Sequence, residues 1–254
     1  MIGCIIQARM GSTRLPGKIM KLLDEKNPSL YYTINQLKNC KTFDKIIVAT
    51  TTLNEDNVVE EYLKNLDVDI FRGSSEDVLD RYYKCAKHYE LSSIIRVTGD
   101  CPLIDPCIVD GGVNIFQSKL YDYVTNTFPR TFPDGNETEI FSFSALEKAW
   151  NNAKLSSERE HVTPYFRNFK DIFKIKNFKH IDDISYLRWT MDFQEDLKLI
   201  KIIISKIASR PIYLKNILNL LKQEPELIKI NNHHQPNEGL EKSLKQDKEF
   251  LKDQ

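Results

Sequence analysis

The stretch MIGCIIQARMGSTRLPGK, residues 1–18, decides the fold of this chain. It opens with an apolar run at residues 2–6 and passes directly into a loop rich in Gly and basic residues. Strands separated by helices of about 10–15 residues are typical of βαβ units. The sequence therefore predicts an α/β fold, with a parallel sheet that carries helices on both faces. Three further apolar runs, each separated from the last by a segment of helical spacing, lie at residues 45–50, 68–71 and 94–97.

The second half of the chain is less regular. A helix is expected to begin after Ser142 or Ser144, because serine is a favourable N-cap residue. No Ser/Gly-rich linker divides the chain, so residues 1–235 are predicted to form one domain. Residues 236–254 form a charged arm, expected to be either a solvated helix or a segment packed on a partner, which is compatible with a homodimer. Further strand candidates are residues 121–125, 139–143, 173–178 and 187–191.

The composition is that of an ordinary globular protein, with 41% hydrophobic and 28% charged residues. Lys+Arg and Asp+Glu each number 36, and this balance argues against a protein that mainly binds nucleic acid. The 5 cysteines form no CxxC pair, so free thiols are expected rather than disulfides or structural zinc. No apolar run approaches the roughly 20 residues of a membrane span, and the first run is too short for a signal peptide. A cytoplasmic protein with no membrane contact is expected.

The loop after the first apolar run carries three cations, Arg9, Arg14 and Lys18, and no acidic residue precedes Asp24. These cations would repel one another unless a polyanion lies between them. Ligands of open α/β sheets bind at the carboxyl ends of the strands, which favours a phosphate-binding loop over a solvated basic loop. Gly11 contributes to such a loop because a residue without a side chain lets backbone N–H groups approach phosphate closely.

Two familiar phosphate motifs do not match this loop. A Walker A loop has four residues between its glycines and Ser or Thr after its lysine. Here 5 residues separate Gly11 from Gly17, and Ile19 follows Lys18. The GxGxxG fingerprint of dinucleotide-binding folds is also absent.

Asp100 is the first candidate metal ligand, because it follows Gly99 just past a predicted strand, where a carboxylate suits Mg²⁺. Asp192 follows the apolar run at residues 187–191 and precedes a helix, so it is either an N-cap or a second metal ligand. Magnesium usually takes one or two protein carboxylates, and these two would converge from two strand ends.

Other acidic and histidine residues favour structural roles. Asp105 is expected to be an N-cap, because Pro106 occupies the first helical position. Asp67 and Asp69 spell a DxD sequence, but they are expected at the solvent-facing start of a strand. His233 and His234 are interpreted as part of a polar tail, since no Cys or His lies at ligand spacing from them.

A group of polar residues near turn signals in the second half is the candidate acceptor site. Such residues suit hydroxyls and an anionic group, although each alone equally fits a surface or structural role. His161 is the member that would titrate near neutral pH. The group consists of Arg130, Asp134, Glu137, Glu139, Arg159 and His161.

Several stretches together resemble the cytidylyltransferase family, which includes CMP-sugar-acid synthetases, and especially its SpsF-type branch of spore coat polysaccharide biosynthesis proteins. The resemblance spans nearly the whole chain, and its first motif is the most specific. The stretches are QARMGSTRLPGK (7–18), VATT (48–51), FRG (71–73), EDVLDRYY (76–83), RVTGDCPLIDP (96–106), PRTFPDG (129–135), SEREHVTPY (157–165), LRWTMD (187–192) and NEGLEKSL (237–244).

The resemblance implies a single-domain, Rossmann-like nucleotide-diphospho-sugar transferase (GT-A) fold with a mostly parallel mixed sheet. It implies that Arg9, Arg14 and Lys18 bind the triphosphate and that Asp100 and Asp192 bind magnesium. Phe193-Gln194 replaces the Thr-Pro that usually follows the second aspartate, which leaves the orientation of Asp192 open. The implied nucleotide-binding residues are Gln7, Ala8, Gly11, Ser12, Thr50, Thr51, Arg72 and Gly73.

The expected function is therefore transfer of a nucleoside monophosphate from CTP to a sugar acid, a sugar phosphate or another polyol phosphate, with release of pyrophosphate. The choice of CTP rests on the resemblance. Two alternatives remain open at this point: a metal-dependent glycosyltransferase that uses a nucleotide sugar, and a non-catalytic nucleotide-binding subunit.

Overall fold

A single mixed sheet of seven strands organises the chain, in the order β3-β2-β1-β4-β6-β5-β7. The structure, a computed structural model, describes residues 1–234 and 238–252. Strands β1 to β4 pair in parallel, as the four early apolar runs predicted, whereas β6 runs antiparallel to both β4 and β5. The strands are β1 Ile2–Gln7, β2 Lys45–Thr51, β3 Asp69–Gly73, β4 Ser93–Thr98, β5 Tyr123–Thr125, β6 Glu139–Ser142 and β7 Ile175–Asn177.

Helices cover both faces of this sheet, and the side chains of the inner strand β1 alternate between the two apolar cores that the helices form with it. Ile5 of β1 packs in one core, and its neighbours Cys4 and Ile6 pack in the other. Tyr82 and Tyr83 lie in the first core, as their helical spacing predicted. The helices are α1 Ser29–Leu37, α2 Asn57–Leu63, α3 Val78–His88, α4 Pro106–Phe116, α5 Phe143–Asn152, α6 Ser156–His161, α7 Pro164–Asn168, α8 Gln194–Lys206, α9 Leu214–Gln223 and α10 Glu238–Phe250.

Helix caps agree with two sequence predictions. Asp105 caps α4 by accepting a hydrogen bond from the Cys107 N–H, with Pro106 in the first turn. Ser142, rather than Ser144, caps α5 by accepting from the Ala145 N–H. All 5 cysteines are free thiols, as expected.

The expected strand at residues 187–191 is wrong. This segment does not join the sheet and forms only an isolated bridge, between Arg188 and Asp134, outside the seven strands. Its apolar residues, including Trp189 and Met191, fill a third core beneath α8 and α9. The segment is fixed instead by loops, since the Met191 N–H donates to the Asp100 carbonyl at 2.8 Å.

The described part of the charged arm forms helix α10, which packs on its own chain, so the expected solvated helix is wrong there, whereas packing of the arm on a partner stays a prediction. Helix α10 lies against α6, where Ser243 and Asp247 are buried. The predicted boundary at residues 235/236 lies outside the described residues. No helix within residues 1–234 or 238–252 is long and apolar enough to cross a membrane.

Candidate active site

The carboxyl ends of β1, β2 and β4 meet at one edge of the sheet, since Gln7 lies opposite Ala49 and Thr98. The loop that follows β1 is fastened at two points. The Met10 N–H donates to Asp56 Oδ1 at 2.7 Å, and the Met10 carbonyl accepts from the N–H of Gly17 at 3.1 Å. The backbone turns at Gly17 with φ 64°, a conformation that suits glycine. These contacts direct the next residue, Lys18, toward the end of β4.

Lys18 lies between the two aspartates that the sequence singled out. Its ammonium contacts Asp100, and it donates to Asp192 Oδ1 at 2.7 Å. Arg14 contacts the same Asp192 oxygen, also at 2.7 Å. Burial alone would lower the pKa of Lys18, but the two carboxylates outweigh it and raise that pKa, so the side chain stays an ammonium.

Asp192 is held by a residue that sequence reasoning missed. Arg188 is buried and contacts Asp134 at 2.6 Å, Asp192 at 2.9 Å and Asp196 at 3.0 Å. Burial alone would raise the pKa of Asp192, but Lys18 and the two arginines lower it to about 2. The four-residue spacing of Arg188 and Asp192 in LRWTMD was the available signal.

The N-cap alternative for Asp192 does not hold. Helix α8 begins after Phe193, and the carboxylate that accepts the N–H groups of Asp192 and Phe193, each at 2.9 Å, belongs to the fully buried Asp196. The Asp192 side chain is therefore left to face Lys18 and Arg14. Replacing the usual Thr-Pro with Phe193-Gln194 does not turn this carboxylate away from Asp100.

A cavity of about 510 Å³ opens between this cluster and helices α3, α6 and α10. This volume lies in the range of small-ligand sites, roughly 300–1,000 Å³. The cavity is lined by two carboxylates, those of Asp100 and Glu160, and by five cationic side chains. This excess of positive charge suits an anionic ligand. Of the predicted residues, it is lined by Gln7, Ala8, Arg9, Gly11, Ser12, Arg14, Lys18, Asp100 and His161; the lining residues not predicted include Val78, Arg81, Glu160, Gly239 and Lys242.

Gly99 lets the β4 end approach the loop closely. A Cβ atom at this position would lie 3.0 Å from the Ala8 side chain and 3.1 Å from the Gln7 carbonyl. The Gly99 N–H donates to that same carbonyl at 2.8 Å. The glycine that the sequence placed before Asp100 therefore brings the candidate metal ligand next to the cationic loop.

Four predicted nucleotide-binding residues do not line the cavity. Thr50 and Thr51 are fully buried, and the Thr51 hydroxyl donates to Asp56. Arg72 spans the loop after β2, donating to Asn57 and Glu60 at 2.7 Å each and to two backbone carbonyls. Gly73 is the last residue of β3 and packs against the aliphatic part of Arg81.

The six residues of the predicted acceptor group lie in separate parts of the structure. Arg130 contacts Asp134 and Glu137, each at 3.0 Å, beside Arg188; burial raises the pKa of Glu137 to about 8. Glu139 is buried in the sheet with Arg96 and Arg167. Arg159 fixes α6 to Asp77, the N-cap of α3, whereas His161 faces the cavity. These side chains do not form one cluster.

The DxD sequence and the His233–His234 pair both lie outside the cavity. Asp69 begins β3 and pairs with Lys45 at 2.6 Å, at the opposite end of the strand from the cavity, so the DxD sequence is not part of this site. His234 stacks on Phe193, with ring centroids 3.8 Å apart. Potential ligand atoms of Glu195, His233 and His234 lie within 4.8 Å of one another, a grouping that sequence spacing did not indicate.

Comparison with known proteins agrees with this geometry. The profile of the family described as Cytidylyltransferase matches residues 3–232. This chain belongs to the cytidylyltransferase family. The expected transfer of a nucleoside monophosphate from CTP is therefore the activity of its family, and the predicted family is confirmed.

Individual relatives support the same assignment for this cytidylyltransferase. It is similar to a solved cytidylyltransferase from Leptospira borgpetersenii, with 38% identity, 92% of this chain and 98% of that chain covered, and a TM-score of 0.86. It is 32% identical to the spore coat polysaccharide biosynthesis protein SpsF of Bacillus subtilis, over 87% of this chain and 94% of that one. It is 26% identical to 3-deoxy-manno-octulosonate cytidylyltransferase 2 of Hydrogenovibrio crunogenus, over 72% and 81%. The expected Rossmann-like nucleotidyltransferase fold is confirmed.

Proposed function

We propose that this cytidylyltransferase transfers CMP from CTP to an oxygen of a sugar acid or sugar phosphate and releases pyrophosphate, as a step in surface polysaccharide or glycan biosynthesis in the cytoplasm. The convergence of Arg14 and Lys18 on Asp100 and Asp192 at the carboxyl end of the sheet carries the proposal. The similarity to a 3-deoxy-manno-octulosonate cytidylyltransferase and to SpsF supports a sugar-like acceptor.

Asp100 and Asp192 have the donor chemistry that a magnesium ion requires, since Mg²⁺ prefers oxygen ligands and usually takes one or two carboxylates. Both already contact one cation, the Lys18 ammonium, so their oxygens converge on a common point. The lowered pKa of Asp192 keeps it ionised at neutral pH. When bound, Mg²⁺ would polarise the α-phosphate and lower the pKa of the acceptor hydroxyl.

The cationic loop supplies the rest of the charge neutralisation. In the proposed reaction, the acceptor oxygen forms a bond to the α-phosphorus while the bond to pyrophosphate breaks in line. Arg9, Arg14 and Lys18 would stabilise the charge that grows on the departing pyrophosphate. The anchoring of the loop through Met10 and Asp56 holds these cations in place before the nucleotide binds, and such positioning is the main requirement of phosphoryl transfer.

The test is pyrophosphate release by the full-length protein with Mg²⁺, each of the four common NTPs and a panel of acidic and phosphorylated sugars. We expect turnover with CTP and at least one acidic or phosphorylated sugar. Arg14→Ala and Asp100→Ala should each lose about 10²–10³ in rate, the usual cost of removing one preorganised electrostatic contact. Lys21→Ala is the control, because this lysine follows the same loop but does not line the cavity.

Other outcomes would contradict the proposal. Near wild-type turnover in Arg14→Ala or Asp100→Ala would remove these residues from the reaction. Transfer from a nucleotide sugar without pyrophosphate formation would indicate a glycosyltransferase. Binding of CTP by calorimetry with no turnover over the whole panel would indicate a non-catalytic nucleotide-binding subunit.

A further inference from the structure

The carboxy-terminal helix α10 reaches the candidate active site, although its sequence is mostly polar. Gly239 and Lys242 line the same cavity as the cationic loop and Asp100. They enter it beside Glu160 and His161, the last two residues of α6. The NEGLEKSL motif, whose structural role was not evident from sequence, thus supplies part of the wall of this cavity.

Polar contacts fix α10 on α6. The Ser157 N–H donates to the buried Asp247 at 3.0 Å, and the Ser156 hydroxyl donates to Gln246 at 2.8 Å. Ser243, which is 1% exposed, places its hydroxyl 2.5 Å from Glu160 Oε2 and 3.1 Å from His161 Nε2. Lys242 therefore lies on a helix whose position is determined by its buried residues Ser243 and Asp247.

The contacts of the Ser243 hydroxyl with Glu160 and His161 also define the hydrogen bonding of the His161 ring. A hydroxyl has one proton, and the 2.5 Å contact directs it to the Glu160 carboxylate. The hydroxyl oxygen then accepts from His161 Nε2, which leaves Nδ1 of a neutral ring as an acceptor. Burial lowers the pKa of His161, consistent with a neutral imidazole.

This wall differs in chemistry from the phosphate side of the cavity. The loop side offers Arg9, Arg14 and Lys18, whereas the wall formed by α6 and α10 combines one lysine with a carboxylate and an imidazole. A carboxylate beside a triphosphate would be repelled. The same carboxylate would accept hydrogen bonds from sugar hydroxyls, while the lysine pairs with a single anionic group.

We propose that α10 completes the acceptor subsite and that Lys242 binds the carboxylate or phosphate of the acceptor. Lys242 is exposed, and the part of the chain that the structure describes offers it no ion-pair partner, so its ammonium is free to meet a ligand. Ser243 acts through its neighbours as a positioning residue, because it holds Glu160 and His161 on the cavity wall. This inference rests on the proposed function and adds the residue that recognises the acceptor.

The test compares Lys242→Ala, Lys242→Arg and Lys245→Ala in the full-length protein. Lys245 lies on the same helix and is exposed, but it does not line the cavity, so it serves as the matched control. We expect Lys242→Ala to raise the KM for the acceptor about 10- to 100-fold, the usual effect of losing a charged hydrogen bond, with the KM for CTP unchanged. Lys242→Arg should restore most of the affinity, and Lys245→Ala should match the wild type. An unchanged acceptor KM in Lys242→Ala, or a rise confined to the KM for CTP, would overturn the inference.

Failure of the proposed function is distinguishable from failure of this inference. If the wild type releases no pyrophosphate with any acceptor, the proposed function fails. Calorimetry of the CTP-loaded protein with 3-deoxy-manno-octulosonate and with glucose 1-phosphate then decides the role of Lys242. Binding that Lys242→Ala weakens and Lys245→Ala preserves supports the subsite, and the preferred probe distinguishes carboxylate from phosphate. Equal binding by Lys242→Ala, or no binding of either probe to the wild type, contradicts it.

Discussion

Replacing Lys18 with methionine would remove the cation that lies between Asp100 and Asp192 while keeping an unbranched side chain of similar length. Arg14 and Arg188 would still contact Asp192, so the fold around that carboxylate should persist. The two aspartates would lose the positive charge that now offsets their mutual repulsion. A divalent cation would then bind there without having to displace an ammonium.

The expected magnitude follows from the contacts that a metal ion displaces in the wild type. A hydrogen bond to a charged group contributes about 1.5–3 kcal/mol, and Lys18 makes one such bond to each aspartate. Loss of one of them should tighten Mg²⁺ binding in the absence of nucleotide about 10- to 100-fold. Turnover should nevertheless fall about 10²–10³-fold, since Lys18 no longer stabilises the departing pyrophosphate.

The assay is calorimetric titration of nucleotide-free protein with MgCl₂, combined with pyrophosphate release at saturating CTP and acceptor. Lys21→Met is the control, because no hydrogen bond or ion pair joins its side chain to any described residue, and it should match the wild type in both measurements. Weaker or unchanged Mg²⁺ binding in Lys18→Met would refute the reasoning. Such a result would mean that the two aspartates and the lysine do not share one cation position.

Three predictions concern stability. Burial would raise the pKa of Asp192, but Lys18 and the two arginines outweigh it and lower this pKa to about 2, below the unfolded value near 4. The ionised Asp192 therefore stabilises the fold above about pH 4. That contribution, about 2 kcal/mol, should be lost as the pH falls from about 4 to about 2, and thermal unfolding of Asp192→Asn should lack this part of the pH dependence. Gly135→Ala should lower the free energy of unfolding by about 1–3 kcal/mol, because φ is 105° and a Cβ would lie 2.7 Å from the Thr190 nitrogen. Gly111→Ala, where no atom lies within 4 Å of an added Cβ in helix α4, should instead raise it by about 0.5–1 kcal/mol, as measured by denaturant titration.

The sheet edge and the loop were predictable because their signals are local. Apolar runs of strand length identified β1 to β4, and three cations without a carboxylate identified the phosphate side of the cavity. The segment at residues 187–191 misled the prediction, because a short apolar segment buried under helices has the same pattern as a buried strand. Trp189 and Met191 are buried there, but their N–H groups donate to the carbonyls of Asp134 and Asp100 in loops rather than to a neighbouring strand.

The part of the site that the sequence did not predict depends on tertiary packing. Arg81 lines the cavity because α3 packs beside β3, and Lys242 lines it because buried polar groups dock α10 on α6. Ser243 and Asp247 of α10 are buried whereas Leu244 is exposed, so the residues that dock this helix are ones that a solvated arm would also carry. Polar docking of this kind leaves little periodic signal, since serine and aspartate are common on exposed helices as well.

The balance of charge in the whole chain conceals a strong local excess. Lys+Arg and Asp+Glu are equal at 36 each, yet the cavity is lined by five cationic side chains and two carboxylates. Much of the compensating acidity is paired with cations elsewhere, as in the buried Arg188 cluster and the Arg96–Glu139 pair. A protein that binds a long polyanion needs cations spread along a surface, whereas a nucleotide needs them concentrated at one end of a cavity. Because these cations come from the loop after β1, from α3 and from α10, their concentration exists only in the folded chain. Composition alone argues against a long polyanion as the ligand, but it does not reveal a site for a nucleotide.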